Sequence, residues 1–274
     1  MKKYLDFKHK FNSDCLANGR DPSVYAQIIS HVLNCTYNQV FFSLSKEIEP
    51  DKLEQMEAIA SRYLAGEPIQ YILGYTYFHH LKLEVNKDVL IPRFETEELV
   101  AKVLKQHGEA YLKVLDIGTG SGCIAAAIKE NRPTWQVSAS DISKAALEVA
   151  KKNFKNLNLD INTYLSDFLK DIKDDFDIII SNPPYISPYD NEVDKEVFDN
   201  EPHLALFTSD EEGIEAYKTI LTQLKDRDFQ EIYFEFGYQQ KEALIGLLKF
   251  LNYTHYEFYQ DISRHDRILR VYKS

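Results

Sequence analysis

Phe176-Asp-Ile-Ile-Ile-Ser-Asn-Pro-Pro-Tyr185 is the stretch on which the fold turns. Ile178, Ile179 and Ile180 form a short apolar run of the kind that fills a strand buried on both faces. The run stops at Pro183 and Pro184, because proline brings no N–H to a ladder and holds the residue before it extended. Asn182 is thereby placed just past the carboxyl end of a central strand, where open α/β sheets bind ligands. Its carboxamide offers a carbonyl acceptor and an NH2 donor on a short stem. The Pro183 carbonyl is a second acceptor, and Tyr185 adds a flat aromatic face. Two acceptors beside a ring suit a planar group bearing NH2, such as a carboxamide or the exocyclic amine of a base. A plain strand and turn would carry the same residues, so the segments upstream decide.

From Leu112 the chain alternates strand, helix, strand, helix, the pattern of parallel strands with covering helices. Lys113 to Ile117 reads as a strand, Gly118-Thr119-Gly120-Ser121-Gly122 as a turn, and Cys123 to Glu130 as a helix. Val137 to Ser140 is a second strand, ending in Asp141; Lys144 to Leu157 a helix; Asn162 to Leu165 a third strand; Phe176 to Ser181 the fourth. Glycines at a helix N-terminus let backbone turn tightly and approach a ligand closely. An acidic residue about 20 positions on, at the end of the next strand, is where a carboxylate grips ribose hydroxyls. Gly118, Gly120, Gly122 and Asp141 meet that description. The dinucleotide fingerprint wants its third glycine one place later, where Cys123 stands. Asp116 at the mouth of the loop would repel a pyrophosphate and favour an ammonium or sulfonium cation. S-adenosylmethionine carries both cations and no phosphate, so charge selects it over a dinucleotide. Phe168, beyond the third strand, would lie against adenine or else fill the core.

On either side of this block the pattern changes. Residues 1 to 73 read as helices. Asp21-Pro22 caps one whose Tyr25, Ile28, Ile29 and Val32 face inward, and Pro50 opens another with Leu53, Met56, Ala60 and Tyr63 on one side. That segment holds no acid–base pair or ligand cluster, so it reads as a scaffold or a partner-docking module, and His31 reads as an ordinary helix residue. Residues 74 to 90 alternate as a hairpin joining two domains. Arg93 and Glu95 read as a solvated loop pair, with Thr96 a cap for the helix through Leu99, Val100, Val103 and Leu104. Glu231 to Phe236 is a fifth strand, followed by a helix over Gln239 to Leu251 and a terminal antiparallel hairpin, Tyr253 to Tyr259 with Ile268 to Tyr272.

A length of 274 residues allows one large domain or a core domain with a small one. The formal net charge of −11 is the wrong sign for a protein dominated by phosphate contacts, so no direct nucleic-acid partner is expected. Cys15, Cys35 and Cys123 have neither CxxC nor Cys/His spacing, so no disulfide framework and no metal site is expected. The first ten residues carry no apolar targeting core, and no run is long enough for a bilayer, which points to the cytoplasm.

Asp116-Ile-Gly-Thr-Gly-Ser-Gly122, Asp141-Ile-Ser-Lys-Ala-Ala-Leu147 and Asn182-Pro-Pro-Tyr185 resemble the amino-methyltransferases of the S-adenosylmethionine class. Gly66-Glu-Pro-Ile-Gln-Tyr-Ile-Leu-Gly74, Val89-Leu-Ile-Pro-Arg-Phe-Glu-Thr-Glu97 and Glu201-Pro-His-Leu-Ala-Leu206 narrow this: together they are similar to the release-factor glutamine N5-methyltransferase family, from about Arg62 to Arg267. The resemblance implies a Rossmann-like class I methyltransferase sheet, parallel with a terminal antiparallel hairpin, over residues 91–274. It also implies a helical substrate-docking domain over residues 1–73. It implies transfer of a methyl group to the glutamine of the Gly-Gly-Gln tripeptide in class I peptide chain release factors, aiding translation termination, with S-adenosylhomocysteine as product; a monomer is the expected state, though the sequence does not show it. By the same resemblance Asp116, Gly118 to Gly122 (with Thr119 and Ser121), Asp141, Phe168 and Asn182 would bind cofactor. Asn182, Pro183, Pro184 and Tyr185 would hold the glutamine, with Asn182, Pro183 and Tyr185 catalytic. The family usually has proline at Phe94 and glycine at His80 and Arg264, and a glycine-rich turn where Ser209-Asp-Glu-Glu-Gly213 stands. No general base is assigned; Glu235 is open between that role and a structural one. The rival readings are a DNA adenine or cytosine amino-methyltransferase, whose flipped base presents a similar amine, and a catalytically silent docking protein.

Overall fold

The structure, a computed structural model, describes residues 2–190 and 193–273, which fall into two compact units, Met1–Gly74 and Tyr75–Ser274. The first unit is helical: α1 (Tyr4–Ala17), α2 (Tyr25–Leu33), α3 (Tyr37–Ser43), α4 (Pro50–Leu64) and α5 (Ile69–Leu73). Ile28, Ile29, Met56 and Tyr63 from the inward stripes of α2 and α4 pack with Phe7 and Phe11 of α1 into one core. Asp21 does cap, its carboxylate accepting the Ser23 N–H at 2.8 Å, but on a single 3-10 turn over Pro22–Val24 that leads into α2.

The second unit begins with a hairpin, β1 (Tyr75–Phe78) and β2 (Leu81–Glu84), and continues through α6 (Phe94–Gln106), β3 (Lys113–Ile117), α7 (Cys123–Asn131), β4 (Gln136–Asp141), α8 (Lys144–Asn156), β5 (Asn162–Leu165) and β6 (Ile178–Ser181). Three helices follow, α9 (Lys195–Asn200), α10 (His203–Leu206) and α11 (Glu215–Gln223). Then come β7 (Glu231–Glu235), α12 (Lys241–Phe250), β8 (Tyr256–Gln260) and β9 (Asp266–Tyr272). The hairpin belongs to this unit's core, since Phe78, Leu81 and Leu83 are buried with α6 and α7.

The main sheet has the order β5-β4-β3-β6-β7-β9-β8. Its first five strands are parallel, and β9 pairs antiparallel with both β7 and β8. Alternate residues serve opposite faces: Val114, Ile178, Ile180 and Tyr233 join the core beneath α6 and α7, while Leu115, Ile179, Ile232 and Phe234 join the one beneath α11 and α12. Strand order reverses between β3 and β6, whose last residues, Ile117 and Ser181, are register partners. The turns leaving those two strands, at Gly118 and Asn182, therefore flank the crevice at the switch point, the ligand position of doubly wound sheets. The topology thus joins two motifs that lie 64 residues apart, and the Ser181 hydroxyl donates to the Ile117 carbonyl at 2.8 Å to lock the ends together.

Candidate active site

A cavity of about 300 Å³ opens at this switch point. Gly118, Gly120, Asp141, Phe168, Asn182 and Pro184 of the motifs line it. Gly118 (φ 70°) and Gly120 (φ 55°) are left-handed, and a Cβ on either would project into open space, so the missing side chains leave room for a guest against bare backbone. Asp141 accepts the Gly120 N–H at 2.9 Å on Oδ2 and the Ser143 N–H at 2.8 Å on Oδ1. Its carboxylate is thus oriented by the glycine loop it faces, and burial raises its pKa. Phe168 takes φ 51°, a left-handed conformation costly for a bulky side chain; it lines the cavity and also packs against the core beneath α11 and α12. Strained residues of this kind cost ~1–3 kcal/mol and gather at ligand clamps. The Gln223 side chain, accepting the Leu169 N–H at 2.7 Å, holds the turn in place.

Asp116 lies deeper than its sequence position implies. It is 1% exposed and sits under the loop, not at its mouth. Oδ2 accepts from the Thr119 hydroxyl at 2.6 Å and the Ala125 N–H at 3.2 Å, while Oδ1 is buried with no partner. Desolvation pushes its pKa up to about 7. Thr119, Ser121 and Gly122 are likewise buried rather than cavity-lining. Their work is to shape the loop, helped by Asn153, which donates to the Ser121 carbonyl at 2.8 Å and the Glu84 carbonyl at 2.9 Å. An orphaned buried carboxylate oxygen, an open glycine cradle, an oriented acid and an aromatic wall together fit a ligand that combines a cation, a ribose and a flat base.

On the β6 side, Asn182 directs its NH2 to the Thr96 hydroxyl oxygen at 3.1 Å. Thr96 in turn donates to Glu235 Oε2 at 2.7 Å. Thr96 is therefore no helix cap; α6 begins at Phe94 and Thr96 lies inside its first turn. Glu235 is 1% exposed, and burial pushes its pKa up to about 7. Pro183 is buried, and Tyr185 packs against the core under α11, where burial raises its phenol to about 12. Gln240 fastens the Asn182–Tyr185 turn: its Nε2 donates to the carbonyls of Tyr185 (2.8 Å) and Gly213 (3.0 Å), and its Oε1 accepts the Gly237 N–H at 3.0 Å.

Arg93 pairs with Glu201 at 2.6 Å rather than with Glu95. Glu201, nearly buried, also accepts the Ile91 N–H at 3.1 Å, tying together two segments that line the cavity through Leu90 and Pro202. Sequence reasoning assigned no role to Glu201 or Gln240, and it misassigned Thr96. Each signal was present but local: a carboxylate before a proline, a glutamine after a strand, a hydroxyl near a helix start.

The sequence matches the family described as PrmC N-terminal domain over residues 17–74 and the family described as Methyltransferase small domain over residues 95–202. Release factor glutamine methyltransferase of Streptococcus pneumoniae is 41% identical, with 87% of this chain and 87% of the relative aligned. The protein of the same name from Francisella tularensis is 39% identical over 96% of this chain and 93% of its own. Among solved structures, a methyltransferase from Pyrococcus furiosus matches with a TM-score of 0.51 at 17% identity, covering 71% of this chain and 90% of that one. The hMettl16 catalytic domain, solved with an RNA hairpin, matches at 0.53 and 18%, covering 70% and 75%. At such identities the likeness is one of fold, and it agrees with the sheet order. The near full-length relatives carry the assignment further: this chain belongs to the release factor glutamine methyltransferase family.

Proposed function

We propose that the protein transfers a methyl group from S-adenosylmethionine to the side-chain amide nitrogen (N5) of the glutamine in the Gly-Gly-Gln motif of class I peptide chain release factors. In this reading it acts in the cytoplasm as a monomer, since one chain supplies every piece of the site, with residues 1–73 as the docking domain for the release factor. The cofactor supplies a methyl carbon made electrophilic by its sulfonium. Gly118 and Gly120 admit it closely, Asp141 takes the ribose hydroxyls, Phe168 flanks the base, and Asp116, once ionised, adds negative potential beneath the loop.

The observation that carries the reading is the state of Asn182. Asn182 lines the cavity and its NH2 bonds to Thr96, so in this reading Oδ1 is the atom that would meet a guest. An amide nitrogen is a weak nucleophile because its lone pair is shared with the carbonyl. Asn182 Oδ1 and the Pro183 carbonyl, accepting the two N–H bonds of the glutamine amide, would fix that lone pair in one direction. Tyr185 keeps the amide plane. Positioning of this kind supplies up to ~7–11 kcal/mol, so no strong base is needed before transfer, and the proton departs to water afterwards. Mass spectrometry of the Gly-Gly-Gln peptide tests the reading, after incubating release factor with enzyme and cofactor. A gain of one methyl on the glutamine is expected; an unmodified peptide refutes it.

A further inference from the structure

Asparagine's two terminal atoms are nearly equal in size but opposite in role. A half-turn of the amide exchanges an acceptor for a donor at the same point in space. For Asn182 the difference is decisive, because an NH2 facing a substrate N–H would set donor against donor. Something must hold the amide one way.

We propose that Thr96 and Glu235 are positioning residues for methyl transfer, a two-step hydrogen-bond chain that pins the Asn182 NH2 inward and so keeps Oδ1 turned to the substrate. The inference rests on the function proposed above. The argument is one of proton count. Thr96 has a single hydroxyl proton, and with Glu235 in its carboxylate form that proton is given to Oε2 at 2.7 Å. Toward Asn182, 3.1 Å away, Thr96 can offer only lone pairs, which NH2 can meet and Oδ1 cannot.

The chain is assembled by topology. Ser181 and Phe234 are register partners on β6 and β7, so the residues that follow them, Asn182 and Glu235, leave the sheet side by side. Helix α6 crosses beside β7 and delivers Thr96 between them. Other charged groups near the carboxylate, Arg267 of β9 and Glu95 of α6, act on it through space rather than as hydrogen-bond partners. The side chains that hydrogen-bond this buried carboxylate are Thr96 and the Asn182 amide itself, so it draws the NH2 inward directly as well as through the hydroxyl. Burial still pushes its pKa up, the cost of a charge taken out of water. Glu235 is assigned no part in taking the reaction's proton: it is 1% exposed and is held by Thr96 and the Asn182 amide.

The test compares full-length wild type with Thr96→Val, Thr96→Ser and Glu235→Met, with Asn182→Ala alongside as the loss-of-site reference. It measures kcat on release factor, S-adenosylhomocysteine affinity by calorimetry, and melting temperature. Thr96→Val keeps the shape and loses the hydroxyl, so kcat should fall roughly 10- to 100-fold with cofactor affinity unchanged. Thr96→Ser should recover most of the rate. Glu235→Met removes a buried charge at similar length, so it should melt at or above wild type and still be slow. A structural role predicts the opposite coupling, with rate falling only where melting temperature falls. Wild-type kcat in Thr96→Val or in Glu235→Met overturns the inference, as does a loss that tracks melting temperature in both. A wild type that leaves release factor unmethylated instead refutes the functional reading on which the inference stands.

Discussion

Two side chains at the cavity should separate cleanly in experiment, because the proposed function sets Asn182 against the reacting group and Asp141 against the ribose. Asn182→Ala is expected to lower turnover on the order of 10²-fold while calorimetric affinity for S-adenosylhomocysteine stays near wild type. Asp141→Ala should weaken that affinity by ~1.5–3 kcal/mol, the worth of hydrogen bonds to a charged group. Equal losses in both measurements for both variants would contradict the division. Asp116 makes a prediction about stability. Its carboxyl stands near pKa 7 when folded, against 3.8 for an ordinary aspartate. The folded state then holds the proton more tightly, so stability declines as pH rises from about 4 to 7 and the full cost remains above that. Asp116→Asn cannot ionise and keeps an oxygen for Thr119 and Ala125. Ligand-free Asp116→Asn should therefore melt above wild type at pH 8, by ~2–4 °C per kcal/mol relieved, with the gap closing toward pH 4. Coincident melting curves at pH 8 would remove the basis for the claim.

At the scale of elements, the glycine loop divides its work between ligand space and packing. Gly118 and Gly120 border open space, but a Cβ at Gly122 would meet the Phe154 ring at 2.5 Å and Ala150 Cβ at 3.2 Å, both on α8. Its φ of 84° adds backbone strain. Gly122→Ala should cost ~1–3 kcal/mol, visible as a lower melting temperature even without ligand; an unchanged melt would mean that α7 and α8 have room to part. Left-handed residues elsewhere fall at or beside positions where the resemblance leads to an expectation of glycine. Arg264 takes φ 65°, the conformation in which glycine is at home. At the hairpin turn the left-handed residue is His79 (φ 50°), one place before the family's glycine, and its N–H is held by Glu97 Oε1 at 2.7 Å. Strands and long helices were legible because their period repeats over several turns. Helices α9, α10 and α11 were not: the first two, six and four residues long, hold no period to read, and the nine-residue α11 went unread although Ala216, Tyr217, Ile220 and Leu221 mark its buried face.

For the molecule as a whole, charge decides between substrates that present similar planar amines. A net charge of −11 opposes the phosphate contacts on which DNA affinity rests. With labelled cofactor and both substrates in one tube, label should enter release factor and leave duplex DNA blank. The protein should also fail to retard that DNA in a gel near physiological salt. Label in the DNA would reverse the assignment. Among the described residues no helix is long and apolar enough to cross a membrane. The alternation of strands and helices announced a parallel sheet, but not that β3 would lie between β4 and β6. That choice made Gly118 and Asn182 neighbours, and no local pattern encodes which strands pair.

The amino-acid sequence by itself determined the chemistry on offer: a glycine loop, an acid one strand later, and an asparagine arrested beyond an apolar strand by two prolines. Short-range physics sufficed there, because backbone reach, φ preference and burial period are properties of adjacent residues. Only the tertiary structure decided which way the Asn182 amide points and where the Asp116 carboxylate rests. Thr96 lies 86 residues from Asn182 and 139 from Glu235. A hydrogen bond depends on distance in space, and the sheet supplies that distance only once it has closed.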